Sequence, residues 1–426
     1  MRRGILALVI VVGVVGASTA ALWWLNVRDE STTTTQATPT PASIATGAYL
    51  ARIGNCAGCH TRRGGAPFAG GRGIPTPFGT VYASNLTPDD DTGLGRWTRD
   101  DFWRAMHNGR SRDGRLLYPA FPYPHYTEVL REDVDALFDY LRSVPAARER
   151  RRAHELRFPY DTQLALAVWR ALYFRPGVYE PDRARPADWN RGAYLVRGLG
   201  HCGACHAARN PLGASPDSDT LGGGLIPMQG WYAPSLASKR EAGVQDWPSG
   251  SVVALLTTGV TPRASVLGPM AEVVYASTQH LTLQDATAIA TFLKSLPDPS
   301  IDTPRAAPAE PTPQQMERGR AIYDDRCAGC HGANGEGWPG QYPPLAGNRA
   351  VLLDNAANPI RAVLSGGFSP GTAGNPRPYG MPAFAPFLND DETASVVSYV
   401  RNAWGNRASA VADWQVARLA RGAVRE

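Results

Sequence analysis

An uncharged run from Gly4 to Asn26, largely Leu, Val, Ile and Ala, follows Arg2 and Arg3 and stands apart from the rest of the chain. About 20 apolar residues suffice for a helix to span a bilayer, and Trp23 and Trp24 near the end of the run suit a membrane interface. Residues 1–27 are therefore expected to form an export signal retained as a membrane anchor, with the leading arginines in the cytoplasm and the domains that follow the anchor outside. Ser18-Thr19-Ala20 supports the competing reading, a signal cleaved at small residues. Residues 28–45, with a Thr, Pro, Ser and Ala tract from Ser31 to Ala45, offer little to bury and read as a flexible linker.

Past residue 45 one plan repeats three times. Each repeat opens with a helix carrying a glycine and an aromatic residue about a turn apart: Gly47 and Tyr49, Gly192 and Tyr194, Gly319 and Tyr323. Each closes with a helix introduced by an acid and bearing an aromatic seven residues later: Asp133 and Tyr140, Asp285 and Phe292, Glu392 and Tyr399. Seven residues make two helical turns, so acid and ring share a face. The glycine is expected to let the closing helix cross closely, with the ring filling the contact. The pattern predicts an all-α chain of three small tandem domains, residues 46–150, 186–297 and 316–406. A connecting segment (151–185), a Pro- and Ala-rich linker (298–315) and a C-terminal tail (407–426) complete it.

Composition adds one point and removes another. The chain has 426 residues, a soft prior of about three domains at roughly 100–200 residues each. With 44 glycines and 36 prolines, those domains should be rich in loops, with a cofactor supplying part of each core. The net charge is only +5, and Lys239 and Lys294 are the only lysines among 43 basic residues. No block of five or more like charges appears, so no nucleic-acid partner is inferred.

The cysteines decide the chemistry. There are six, and all fall into three copies of Cys-x-x-Cys-His: Cys56, Cys59 and His60; Cys202, Cys205 and His206; Cys327, Cys330 and His331. This is the signature of covalent haem attachment. Two thiols three residues apart on one helical turn reach the two vinyl groups of a single porphyrin, and the histidine lies beneath the iron. Three CxxC pairs do not divide into four-thiolate zinc sites, and a thioredoxin-like pair would leave the histidine after each motif unexplained. Three covalently bound haem c groups are therefore expected.

Sixth ligands must come from elsewhere. Of six methionines, Met381 in Tyr379-Gly380-Met381-Pro382 and Met270 in Gly268-Pro269-Met270-Ala271 lie just before the closing helices of the third and second domains, with Met228 the rival in the second. No phosphate-cradling loop or HExxH motif competes with an electron-transfer role.

The repeated unit resembles the class I cytochrome c fold. The segments Trp189 to Val196 leading into Gly200-His201-Cys202-Gly203-Ala204-Cys205-His206, Ser277-Thr278-Gln279-His280-Leu281-Thr282, and Tyr342-Pro343-Pro344-Leu345-Ala346-Gly347-Asn348 are similar to the cytochrome c subunits of membrane-bound periplasmic dehydrogenases. That resemblance covers residues 46–405. It implies a non-catalytic triheme subunit on the periplasmic face of the bacterial inner membrane, taking electrons from a catalytic dehydrogenase subunit and passing them to ubiquinone or a terminal oxidase.

Phe158-Pro159 with the helix around Trp169 to Phe174, and Tyr118-Pro119-Ala120-Phe121-Pro122-Tyr123 with His125 nearby, resemble cytochromes that accompany molybdopterin hydroxylases. A molybdopterin hydroxylase is thus the favoured partner, accompanied by an iron–sulfur subunit. The cytochromes of quinoprotein alcohol and flavin gluconate dehydrogenases are the alternatives. A multihaem peroxidase-like enzyme is the reading from a different class. Many family members place methionine where this chain has Phe121, which cannot ligate iron. His125 is therefore the expected sixth ligand of the first haem, ahead of Met106 and His107 on an upstream helix.

Overall fold

The computed structural model describes residues 2–27, 38–262, 264–301 and 307–422. Of the two linkers read from the sequence, residues 28–37 and 302–306 lie outside the described residues, as do residues 423–426 of the tail.

Helices dominate, but the all-α expectation is corrected. Three small antiparallel sheets are present among the described residues. Gly73–Thr76, Gly79–Tyr82 and Glu155–Leu156 form the first, Gly224–Ile226 and Trp231–Ala233 the second, and Gly367–Phe368 and Gly380–Met381 the third. Their registers pair Gly73 with Tyr82, Gly224 with Ala233 and Gly367 with Met381. Strands of two to four residues are too short to show the alternation by which strands are recognised in sequence.

The expected series of three domains is corrected as well. The chain divides into two compact units, one of Met1–Ala51, Cys56–Glu180 and Pro211–Pro216, the other of Arg52–Asn55, Pro181–Asn210 and Asp217–Glu426. Within the connecting segment, 151–185, the helix expected around Trp169 to Phe174 spans Gln163–Tyr173, and Glu155–Leu156 adds a strand to the first unit.

The helix crossing read from the glycines does recur three times. A Cβ on Gly47, in the helix Pro41–Ile53, would fall on the carbonyl oxygen of Ala136 and lie 2.8 Å from Tyr140 Cβ. A Cβ on Gly192, in Ala187–Tyr194, would strike Ala288 O and lie 2.9 Å from Phe292 Cβ, and one on Gly319, in Pro313–Arg326, would strike Ser395 O and lie 2.6 Å from Tyr399 Cβ. The partner helices are Arg131–Ser143, Leu283–Lys294 and Asp390–Val400. In each, the carbonyl approached lies four residues before the aromatic, so one helical turn presents both to the glycine.

The acids of the closing helices have a different use from the face-sharing one. Asp285 accepts two hydrogen bonds from Arg191 at 2.8 and 2.9 Å, tying the closing helix of this repeat to its opening helix. Glu392 reaches back to the Asn389 backbone N–H in a capping box. Both stabilise helix N-termini, where negative charge is favoured.

The N-terminal run folds as the helix Arg2–Val27, yet no helix among the described residues is long and apolar enough to cross a membrane, which corrects the membrane-segment reading. The end of the run is used for packing within the first unit. Asn26 is buried, its side-chain amide donating to Leu22 O and Ala167 O and its side-chain oxygen accepting from Arg170 Nε at 2.9 Å. The tail, by contrast, carries a helix of its own, Asp413–Gly422, whose Val416 is fully buried with Tyr323, Ile360, Val396, Val397 and Val411.

Candidate functional site

Each Cys-x-x-Cys-His motif sits on a short helical turn: Cys56–His60, Gly203–His206 and Ala328–His331, the last two with their first cysteine at the N-cap. None of the six cysteines is paired in a disulfide. Burial, with the neighbouring cysteine adding to it, pushes the Cys56 and Cys202 thiols up to about 12 and Cys327 up to about 11. Among the described residues no three His, Cys, Asp or Glu side chains converge to hold a metal ion by themselves.

The three motif histidines share one arrangement that sequence reasoning missed. His60 Nδ1 lies 2.7 Å from Ser84 O, His206 Nδ1 2.7 Å from Pro234 O, and His331 Nδ1 3.1 Å from Pro343 O. A backbone carbonyl only accepts, so each Nδ1 carries the proton and each Nε2 keeps its lone pair for a metal, which is how a second shell fixes a ligating imidazole. Burial lowers the pKa of all three, partly offset by the carbonyl bond, and so keeps them neutral. These are the properties that an axial haem ligand needs.

Two of the acceptors follow the second strand of a hairpin, which is why the sheets matter. A sequence signal was available: Tyr82-Ala83-Ser84-Asn85-Leu86 and Tyr232-Ala233-Pro234-Ser235-Leu236 align residue for residue, with the acceptor third in each. The first two motifs share a second feature, since Arg72 donates to Gly58 O and Arg209 to Ala204 O, the residue before the second cysteine in each.

The sixth-ligand candidates lie on three kinds of element. Met381 is half-buried on the strand Gly380–Met381. Met270 is half-buried in the first turn of the helix Pro269–Ala276, whereas Met228 is 40% exposed. In the first unit, Leu117 N–H donates to Gly109 O just as Val266 N–H donates to Gly259 O in the second, at 2.8 and 2.9 Å. Both glycines cap their helices in the left-handed conformation. Four residues on from these matched bonds stand Phe121 and Met270, so Phe121 occupies the methionine step.

His125 is half-buried on the next turn, Tyr123–Tyr126. Its neighbour Tyr126 is buried, and burial together with the charges of Cys56 and Cys59 lifts its phenol well above the usual range. This turn therefore borders the first cysteine pair. His107 is stacked on Trp103, ring centroids 4.5 Å apart, with Nδ1 2.9 Å from Thr127 O, and Met106 is buried on the same helix.

The arrangement defines a c-type cytochrome: paired thiols on a turn with a neutral histidine whose Nε2 is available. Residues 316–404 match the family model described as cytochrome c. The chain is 37% identical over 385 residues to the gluconate 2-dehydrogenase cytochrome c subunit of Pantoea cypripedii, covering 87% of each chain. It is 35% identical over 387 residues to the cytochrome c subunit of the quinone alcohol dehydrogenase of Gluconobacter oxydans, covering 86% of this chain and 80% of that one. It is 40% identical over 366 residues to a nicotinate dehydrogenase subunit of Pseudomonas putida, spanning 85% of its own length but 30% of that longer protein. The chain belongs to the family of dehydrogenase cytochrome c subunits, electron-transfer subunits distinct from the catalytic ones.

Proposed function

We propose that the chain binds three covalent haem c groups and relays electrons from a periplasmic molybdopterin-dependent dehydrogenase, by way of an iron–sulfur subunit, to ubiquinone or a terminal oxidase. Bound haem supplies a one-electron iron couple. The chain's own residues do the rest: Cys56 and Cys59, Cys202 and Cys205, and Cys327 and Cys330 hold the macrocycles, while His60, His206 and His331 present Nε2. Met270 and Met381 complete the second and third sites, and His125 the first. The observation that carries the reading is the Nδ1-to-carbonyl bond repeated at all three histidines. One imidazole so oriented is ordinary packing, but three at the same motif position point to three equivalent sites.

The periplasm is the compartment proposed because covalent attachment of haem to such motifs takes place there in bacteria. The molybdopterin partner rests on the resemblance carried by Tyr118 to Tyr123 and Phe158-Pro159, and on the similarity to the nicotinate dehydrogenase of Pseudomonas putida. Neighbouring genes for a molybdopterin subunit and a small iron–sulfur subunit support it. A quinoprotein or flavin dehydrogenase gene in their place would replace it.

Mass spectrometry of protein matured in cells with intact haem-attachment machinery should show an increment of three haems, and a smaller increment removes the three-site reading. His125 is supported by the loss of methionine at position 121 and by the packing of His107 between Trp103 and Thr127. Methionine ligation raises haem potential, so the first haem should have the lowest potential of the three. His125→Met should raise it and add a methionine-to-iron near-infrared band to the two of the wild type. Three such bands in the wild type would exclude His125.

A further inference from the structure

The carbonyls that hold the first two motif histidines, Ser84 O and Pro234 O, follow strands whose outer edges are gripped by side chains from elsewhere in the chain. In the first compact unit Tyr82 N–H, two residues before Ser84, donates to His154 Nδ1 at 3.0 Å. In the second unit Tyr232 N–H, two residues before Pro234, donates to Asn358 Oδ1 at 2.8 Å. The donor is the same step of the matched segments Tyr82 to Leu86 and Tyr232 to Leu236. The two acceptors differ in residue type and lie 72 and 126 residues further along the chain. Unlike residues from unrelated places thus meet one backbone atom, and in each unit that atom belongs to the strand that leads to a histidine's acceptor.

Each grip supplies what the sheet lacks. In the first unit the third strand pairs with the second at Gly79 with Leu156 and Thr80 with Glu155, and so ends short of Tyr82. His154 stands just before that third strand and reaches Tyr82 with its ring instead. Burial, and then Arg151 and Arg115, lower the His154 pKa to about 4, which leaves Nδ1 free to accept. The guanidinium of Arg152 lies over the Tyr82 ring, 4.0 Å from its centroid. Among the described residues the second hairpin has two strands only. Asn358, near the start of the helix Ala357–Ser365, also donates from Nδ2 to Tyr232 O at 2.8 Å, so one amide makes both bonds that a further strand would make. Arg361 of the same helix lies over the Trp231 ring, 5.9 Å from its centroid. A bare two-stranded hairpin is marginally stable, whereas an acceptor for Nδ1 has to be held at hydrogen-bonding distance.

We propose that His154 and Asn358 are positioning residues that hold Ser84 O and Pro234 O against His60 and His206, and so set the potentials of the first and second haems. This rests on the three-haem reading above. A carbonyl accepting from Nδ1 makes a ligating imidazole more basic, which favours the oxidised iron. Loosening the strand weakens that bond and raises the potential. Asn358 acts across repeats, since it lies in the third and serves the haem of the second.

The test uses the full-length mature protein, with haem counted before spectroelectrochemical titration. His154→Phe keeps a ring without an acceptor, His154→Gln restores an acceptor, and Asn358→Leu keeps the size without the amide. At a fixed electrode potential the reduced-to-oxidised ratio of the first haem should rise about threefold in His154→Phe, a shift of roughly 30 mV for a one-electron couple. His154→Gln should return it toward wild type. Asn358→Leu should raise the second haem by a similar amount and leave the third, in its own repeat, unmoved. Where Asn358→Leu loses haem, Asn358→Ala takes its place. An unshifted first haem in His154→Phe together with an unshifted second haem in Asn358→Leu, at full haem content, overturns the proposal. So does an equal shift of all three haems, the mark of general loosening. A shift in one variant alone overturns the assignment of the other residue. An empty first or second motif in the wild type overturns instead the three-haem reading on which the proposal rests.

Discussion

Replacing Gly192 or Gly319 by alanine should destabilise the protein by roughly 3 kcal/mol or more, the upper range for overpacking, although alanine is the better helix former by about 1 kcal/mol. The reason is that the added methyl has nowhere to go. It meets a backbone carbonyl, Ala288 O or Ser395 O, and the Cβ of the aromatic one turn later. Neither a carbonyl nor a Cβ can rotate away as the end of a flexible side chain could, so the two helices must separate. Separation uncovers Phe292 in one case and loosens the packing of Tyr323, Tyr399 and Trp404 in the other, where ring centroids lie 4.8 to 5.6 Å apart. Gly47→Ala should behave likewise against Ala136 O.

Gly250 provides the control, because it lies in the helix Ser249–Thr258 with nothing within 4 Å of an added Cβ. Gly250→Ala should be neutral or stabilising by about 0.4–1 kcal/mol. Denaturant unfolding and haem content measure both variants. If Gly192→Ala and Gly250→Ala shifted the midpoint alike, the close crossing would not be what these glycines are for.

That crossing is legible in the sequence because it depends on residue identity at helical spacing, and helices advertise their faces. Gly47, Gly192 and Gly319 can be matched with Tyr140, Phe292 and Tyr399 from residue types alone. The haem motifs are legible for the same reason, since their chemistry lies in side chains three and four residues apart. What escapes is carried by the backbone. The acceptors that set the histidine tautomers are carbonyls of Ser84, Pro234 and Pro343, and a carbonyl leaves no mark on residue type. The hairpins that present two of them are too short to show a period, although the parallel between Tyr82-Ala83-Ser84 and Tyr232-Ala233-Pro234 is there to be read. The apolar run at the N-terminus misleads because hydrophobicity alone does not reveal that Asn26 is committed to Arg170 and Ala167. Asp285 and Glu392 stand out at helical spacing for a sound reason, but they serve Arg191 and a helix cap rather than the ring two turns away.

The other large effect is expected at Arg401, which no motif marks. It follows directly on the helix Asp390–Val400 and is fully buried. Its Nε donates to Ser409 O at 3.0 Å, one terminal nitrogen to Val351 O at 2.6 Å and the other to Leu353 O at 2.9 Å. One guanidinium therefore joins the end of the closing helix to the segment around residues 351–353 and to the stretch of chain that leads into the helix Asp413–Gly422. Planar geometry is essential, because three divergent donors must be satisfied from one fixed fork. Arg401→Met keeps much of the volume but leaves three carbonyls, two of them buried and the third partly so, without these donors, at about 1–3 kcal/mol each where they are buried and cannot rebond. The expected loss, roughly 3–5 kcal/mol, is a large share of the total stability of about 5–15 kcal/mol available to a typical domain. Arg401→Lys keeps the charge but cannot reproduce the fork, so it should recover only part of that loss. The measurement is thermal unfolding followed at the haem-bearing segment 316–404, together with proteolysis near Ser409, where the released chain should become cleavable. Unfolding of Arg401→Met within about 2 °C of the wild type, far less than a loss of this size implies, would show that these carbonyls find other donors and that Arg401 is not the joint of the third repeat.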